Sequence, residues 1–539
     1  MVTPRTSDIP QKRLAWWRWV LLLLLVILLL AGHRYWKKAP YDQELRSLIE
    51  ALDRQEPHWT FEEWLRSRPV LEPEKNAGVE VQKLLELTTL SETIYFQQKN
   101  AWYRLYSATY DKNELHLFEE YLQQHPNAKL PKTYRRHLRT ILQPEPIQET
   151  LQRARKLAHF QAGYLPHSFK NLLLQTPLPY AQGTRYLANL LQYDAQLQMD
   201  EGQTDWAIAD LEGMLGVARV LDDDPFLVCE WIRSAIIKKV CRQIERLLAQ
   251  PTTLHSEQLL HLQRLLERLL QQNNRRLAEI FRIERAALFH DLAKLLRDQS
   301  TYFQYYKRSF KPVAFEFKPD WLHHFASQLF PEIMLGLGNR PGPASMEQAV
   351  LLRFYNHAIQ WSQLPEHQLR RDLDVWKASG PYLTGFLRVT LMEPISNSNN
   401  KHREFLTIEN LLRIWMKQRA LLRCTMGILA LERYRIDQQQ WPDRWEQLVP
   451  KYLSTIPIDP ETGQPMQLKA TSEGLLVYSV GPNQVNHNGY VIHHAGGNHL
   501  EEGSRLWNTF LRSVLLDKDV MKYYRENRTN NNSTLDLEW

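Results

Sequence analysis

The chain has 539 residues, 43% hydrophobic and 24% charged, which excludes a wholly disordered chain and allows one large core or two to three domains. Its formal net charge is +7. Part of that basic excess flanks an N-terminal apolar run, so it is not a nucleic-acid footprint and no nucleic-acid partner is expected. Three cysteines, Cys229, Cys241 and Cys424, are too few for a disulfide framework, and their apolar, helix-patterned surroundings predict buried free thiols.

The first predicted element is a transmembrane anchor at residues 15–36, preceded by a short tail at 1–14. The run from Val20 to Ala31 is uninterrupted and apolar. Counted from Leu14 to Gly32, with Arg18 snorkelling, a helix would rise about 28 Å, close to the hydrocarbon thickness. Trp16, Trp17 and Trp19 mark one interface and Tyr35 and Trp36 the other. A cleaved signal peptide is the rival reading. Cleavage wants small residues at paired positions, yet Leu29 or Lys37 stands upstream of Ala31 or Ala39. The expectation is therefore a signal-anchor. Arg5, Lys12, Arg13 and Arg18 precede the core and Arg34, Lys37 and Lys38 follow it. This slight bias puts the N-terminus in the cytoplasm and the bulk outside, as a single-pass membrane protein.

Residues 40–395 read as an irregular α-helical domain. Thr60-Phe61-Glu62-Glu63 is a capping box that opens a helix after Pro57 and Trp59. Leu187, Leu190, Leu191, Ala195 and Leu197 share one helix face, and Asp200 to Asp205 breaks the chain. Ala207, Ile208, Leu211, Leu215 and Ala218 form the next face, giving an αα-hairpin of roughly one tetratricopeptide unit. No second copy recurs at a fixed period. Ile232, Ala235, Ile236, Val240, Ile244 and Leu247 continue the pattern, and Ser256 can cap a helix facing inward through Leu259, Leu262, Leu265, Leu266 and Leu269. Asp222-Asp223-Asp224-Pro225 is expected to end one helix and charge the start of the next rather than bind a cation. Glu284 and Arg285 are expected on a solvated face or in a local pair. Gly336, Gly338 and Gly342 lack the strand and the Lys-Ser/Thr ending of a phosphate loop.

Residues 396–402 form a polar linker around Ser396-Asn397-Ser398-Asn399-Asn400. Beyond it, 403–495 reads as a small α+β module: a long helix Phe405 to Ile436, a link from Pro442 to Pro450, and strands Met466–Ala470 and Leu475–Val480 joined by a turn ending in Gly474. The fold class expected is thus mainly α, with a long helix laid on a small antiparallel sheet at the C-terminal end. The motif residues are Trp441, Pro442, Asp459, Pro460, Gly463, Pro465 and Tyr478-Ser479-Val480-Gly481. In this order they resemble the globular head of type II secretion pseudopilins. The prolines would stiffen loops, Gly463 would permit a tight turn, and Trp441 and Tyr478 would be buried together against the helix.

The departures from that family are specific. The anchor lies far upstream of the module, with no Gly-Phe-type processing site before it, and Arg413, Lys417, Arg419 and Arg423 keep the long helix out of a bilayer. Filament assembly is not expected. Asn483, Asn486, His487 and Asn488 stand where the family's calcium loop uses aspartates, so no structural calcium is expected. His487, His493, His494 and His499, with Glu501 and Glu502, are the densest set of possible transition-metal ligands. Their spacing fits no zinc motif, and the expectation is that these rings do not converge; no metal or other cofactor is assigned. Residues 496–539 read as a short helix, Leu506 to Leu516, and a polar tail.

Over its whole length the chain is similar to a group of membrane-anchored planctomycete-type proteins. The likeness is carried by the anchor, Pro57-His58-Trp59, the Gly202 hairpin, Asp224-Pro225 and the pseudopilin-like end. That resemblance implies no reaction. Three functions remain open: an extracytoplasmic structural or protein-interaction protein without a catalytic site, a secretion-system component docking through the C-terminal head, and an extracytoplasmic hydrolase lacking a linear motif. The first is favoured, with membrane contact through 15–36 and protein partners of unspecified identity.

Overall fold

A computed structural model describes residue 122 and residues 39–87, 129–250, 254–297, 344–371, 408–486 and 502–507, except 131, 166, 171, 174, 175, 223, 225, 370, 472, 473, 483 and 485. The anchor at 15–36, the linker at 396–402, the Gly336 to Gly342 segment and His487, His493, His494 and His499 lie outside the described residues. Among the described residues no helix is long and apolar enough to cross a membrane. The protein is mainly helical with one small antiparallel sheet.

The chain divides into two compact units, one built from 1–68, 285–358 and 380–398, the other from 69–284, 359–379 and 399–539. The helical body expected as one domain at 40–395 is therefore split. Its larger part shares a unit with the helix and sheet expected as a separate module at 403–495.

In the smaller unit, α1 (39–55) and α2 (Phe61–Ser67) join residues 285–297 of α9 (Ser256–Arg297) and most of α10 (Ala344–Trp361). The turn between α1 and α2 needs a left-handed residue, which His58 supplies at φ 67°. The following α2 starts on the expected cap. Thr60 Oγ1 accepts the Glu63 N–H at 3.4 Å, and the Thr60 hydroxyl donates to the Glu63 carboxylate at 2.9 Å. Buried Trp59 donates from Nε1 to Asp53 at 2.7 Å and packs edge-on against Phe289 with centroids 5.2 Å apart. Arg285, expected on a solvated face or in a local pair, is 0% exposed. It lies one turn from buried Leu288 on the inward stripe, where a charge requires partners, and it finds Glu56 just past the end of α1 and Asn356 Oδ1 on α10, the latter at 2.6 Å.

The larger unit is layered around a continuous apolar core. Its helices are α3 (Ala77–Leu87), α4 (Lys132–Leu142), α5 (Glu145–Lys156), α6 (Pro179–Asp200), α7 (Thr204–Arg219), α8 (Leu227–Ala249), residues 256–284 of α9, and α11 (Ile408–Gln438). The α6–α7 hairpin forms as its two apolar faces predict, with all ten named residues buried. Its turn is closed by Glu201 N–H to Leu197 O at 3.0 Å and Gln203 N–H to Gln198 O at 2.8 Å, with Gly202 at φ 76°. On α8 the predicted face is buried except for Ala235, which is exposed. Ser256 sits inside the first turn of α9 rather than before it. The cap is supplied from within, where Gln258 Oε1 accepts the His255 N–H at 2.9 Å.

Long α11 packs on the sheet formed by β1 (Gln467–Thr471), β2 (Gly474–Ser479) and β3 (Glu502–Trp507), in the order β1-β2-β3. The first two pair antiparallel from Gln467↔Tyr478 to Thr471↔Gly474. The helix expected from Leu506 is not formed at its described start. Leu506 and Trp507 are extended and pair with Leu475 and Gly474, because the second edge of β2 has backbone donors and acceptors to satisfy. Leu475 and Val477 face the core shared with Leu421, Leu422, Ile428 and Leu429 of α11, whereas Leu476 and Tyr478 form a separate buried pair. Period-two alternation forces this division, so Tyr478 is buried but does not meet the helix as expected. Nor does Trp441 fill the core. It is half-buried under the Arg435 guanidinium at 5.5 Å, and Trp445 takes the interior place, donating from Nε1 to Met466 O at 2.8 Å.

Candidate ligand site in the helical body

Helices α4 to α7 line an open surface pocket of about 650 Å³, called the cavity below. Its chemistry begins with glycines on α7. A Cβ at Gly216 would stand 2.4 Å from the Leu157 carbonyl carbon, and one at Gly213 would stand 3.0 Å from the Arg155 Cα. The two backbones therefore touch, and this contact sets Arg155 beside Asp210. Arg155 donates from Nε to Asp210 Oδ1 at 2.7 Å and from Nη2 to Asp194 Oδ2 on α6. Its guanidinium also lies over the Trp206 ring, 4.9 Å from the centroid.

Asp210 is 0% exposed and its Oδ2 has no hydrogen-bond partner among the described residues. Burial first, and then the neighbouring negative charge of Asp194, push its carboxyl well above the usual range; Arg155 opposes that shift. Asp194 borders the cavity, but Asp210 lies behind it and does not line it. Arg139, at the rim, is paired with Glu201 at 2.6 Å. Trp206 is 53% exposed at the mouth. Around it stand Gln143, Gln152 and Gln203, whose side-chain amides make no hydrogen bond to any described residue. The site thus combines internally neutralised charges with an open indole and uncommitted amides, an arrangement for holding a ligand rather than for attacking one.

A second buried polar cluster lies at the start of α8. His167 Nε2 is 2.5 Å from Asp224 Oδ2, and Asp224 Oδ1 accepts the Phe226 N–H at 3.2 Å. Cys229 lies against the same carboxylate. Complete burial, then the Asp224 charge, push its thiol well up, which removes the thiolate a nucleophile needs. Asp222 pairs with Arg233, and Glu230 with both Arg233 (3.2 Å) and Arg276 (2.8 Å). The described part of the acidic run therefore acts as predicted near a helix start, but through specific arginine and histidine partners more than through the dipole. All three cysteines are buried and free.

Of the motif residues named from the sequence, Asp459, Gly463, Ser479 and Val480 join in one hydrogen-bonded loop junction. Asp459, buried, accepts from Glu461 N–H at 2.9 Å, Ser479 Oγ at 2.8 Å and Val480 N–H at 2.9 Å. Gly463 donates its N–H to Asp459 O at 2.8 Å from φ 73°, beneath the His367 ring. Pro460 and Gly481 are buried close by in sequence and Pro442 is buried further upstream, whereas Pro465 is exposed. Tyr478 donates its hydroxyl to Asn486 at 2.9 Å.

Among the described residues no group of three or more His, Cys, Asp or Glu side chains is placed to hold a metal. Sequence reading missed Arg155, Asp194, Trp206 and Asp210. The available signal was a carboxylate on each apolar stripe of the hairpin: Asp194 adjoins Leu191 and Ala195, and Asp210 lies between Ala207 and Met214. Comparison of the chain with protein-family models, with curated proteins and with solved structures returns no match.

Proposed function

We propose that the chain is a membrane-anchored extracytoplasmic interaction protein, held by residues 15–36, whose helical body binds rather than transforms its ligand. One observation carries this reading: the charged groups around the cavity are spent on each other. Arg155 joins Asp194 and Asp210, and Arg139 joins Glu201. A general base or nucleophile needs a lone pair aimed at the substrate, and Asp210, whose carboxyl is the most perturbed there, does not line the cavity. Photocrosslinking in native membranes from a residue placed at Gln203 tests this. Adducts lost on Trp206→Ala support it, while catalytic turnover abolished by Asp194→Asn would replace it with the hydrolase reading.

A second reading, docking to a secretion system through the C-terminal head, is favoured by the packing of α11 on the three-stranded sheet. Crosslinks confined to a probe at Gln439, at the end of that helix, would select it.

A further inference from the structure

We infer that the cavity between α4 and α7 is a binding site for a neutral saccharide. The inference rests on the reading of this cavity as a place of binding, and it names the chemistry of the occupant. Trp206 provides the platform. Arg155 covers one face of its indole at 4.9 Å, and the residue remains 53% exposed at the mouth of the cavity. An indole held in place by a stacked cation offers solvent a flat apolar surface next to polar groups, which matches the C–H face of a pyranose flanked by hydroxyls.

Charge narrows the choice. Both cavity arginines already face carboxylates, Arg155 that of Asp194 and Arg139 that of Glu201 at 2.6 Å. An anion would have to compete with Asp194 or Glu201 for these cations, and a cation would have to compete with Arg155 or Arg139 for the same carboxylates. The fit is to an uncharged ligand. A nucleic-acid strand is disfavoured on the same ground, since its affinity depends on cations free to meet phosphates.

Hydrogen-bonding capacity selects among neutral ligands. Gln143, Gln152 and Gln203 each present an amide with both donor and acceptor, uncommitted to any described residue. Vicinal hydroxyls likewise donate and accept in pairs, so each amide can be satisfied twice by one sugar. An extended peptide would want a free strand edge, and an amphipathic helix would want an apolar groove with several anchors. The cavity has one exposed aromatic ring and is walled by helices. Its volume of about 650 Å³ lies inside the range of about 300–1,000 Å³ common for small-ligand sites.

The test uses the full chain in a detergent that carries no sugar headgroup. Binding of neutral oligosaccharides (β-1,4-linked glucose, N-acetylglucosamine and xylose hexamers, and α-1,4-linked glucose hexamer) is measured by calorimetry, beside polygalacturonate and an uncharged control peptide. At least one neutral hexamer should bind. Trp206→Ala should weaken it by about tenfold or more, Trp206→Phe by less, and Gln152→Ala measurably. Unchanged thermal melting of Trp206→Ala shows that the fold survives. Binding by none of the neutral hexamers, binding indifferent to Trp206→Ala, or Trp206-dependent binding of the peptide or the acidic polymer alone would each overturn the inference. If saccharides fail but crosslinks from Gln203 capture a protein and vanish with Trp206→Ala, the interaction reading stands without this one.

Discussion

Asp459 receives three hydrogen bonds from buried donors, two of them backbone N–H groups that no water can reach once the loop is closed. Removing the acceptor leaves those donors unsatisfied, at about 1–3 kcal/mol each. Asp459→Ala should therefore destabilise the protein by about 3 kcal/mol or more, read as a lowered denaturation midpoint with unchanged slope. Asp210 behaves in the opposite sense. Its folded carboxyl is raised above the ordinary value of 3.8 by burial and by Asp194, so the folded state holds the proton more tightly than the unfolded chain. Stability is then favoured at low pH and lost as pH climbs from about 4 towards the raised value. Asp210→Asn keeps an oxygen for Arg155 and removes the charge. Its melting temperature relative to the parent should rise between pH 4 and pH 7, and a flat difference would refute the assignment.

At the scale of elements, the contact of α7 with the 3-10 turn Leu157–His159 that follows α5 depends on the absence of a side chain. A methyl at Gly216 would collide with the Leu157 and Ala158 backbone at 2.4 and 2.6 Å, and backbone cannot swing aside as a flexible side chain can. Gly216→Ala should cost about 1–3 kcal/mol despite its better helix propensity, and should also shift Arg155 away from Asp210. A melting curve on the variant measures the first effect and loss of ligand binding the second. This contact also shows what was readable in advance. The helices of the hairpin, the capped start of α2 and the β1–β2 pairing follow from local periodicity and turn residues. Which glycine abuts which distant backbone is a tertiary fact with no local trace. The same limit explains the exchange of Trp441 for Trp445 and the strand at Leu506, where a partner edge overrode a helix-like pattern. Asp194 and Asp210 were legible as charges on inward stripes, but not as partners of one arginine.

For the molecule as a whole, the proposed anchor makes a direct prediction. The intact chain should stay with membranes through an alkaline wash, and a chain starting at residue 40 should be released. Residues beyond 40 should be cleaved by external protease once the outer membrane is opened; protection would reverse the proposed orientation. The division into units has a further consequence, for synthesis. The smaller unit takes its first stretch from residues up to 68 and its next from 285 onward. The ribosome must therefore deliver about 200 intervening residues before α1 and α2 can meet Arg285 and Phe289. At about 5–20 residues per second this delay is on the order of tens of seconds. During it, Trp59 and Phe61, both buried in the finished unit, would wait exposed, a stage at which a chaperone acting on nascent chains has its longest opportunity.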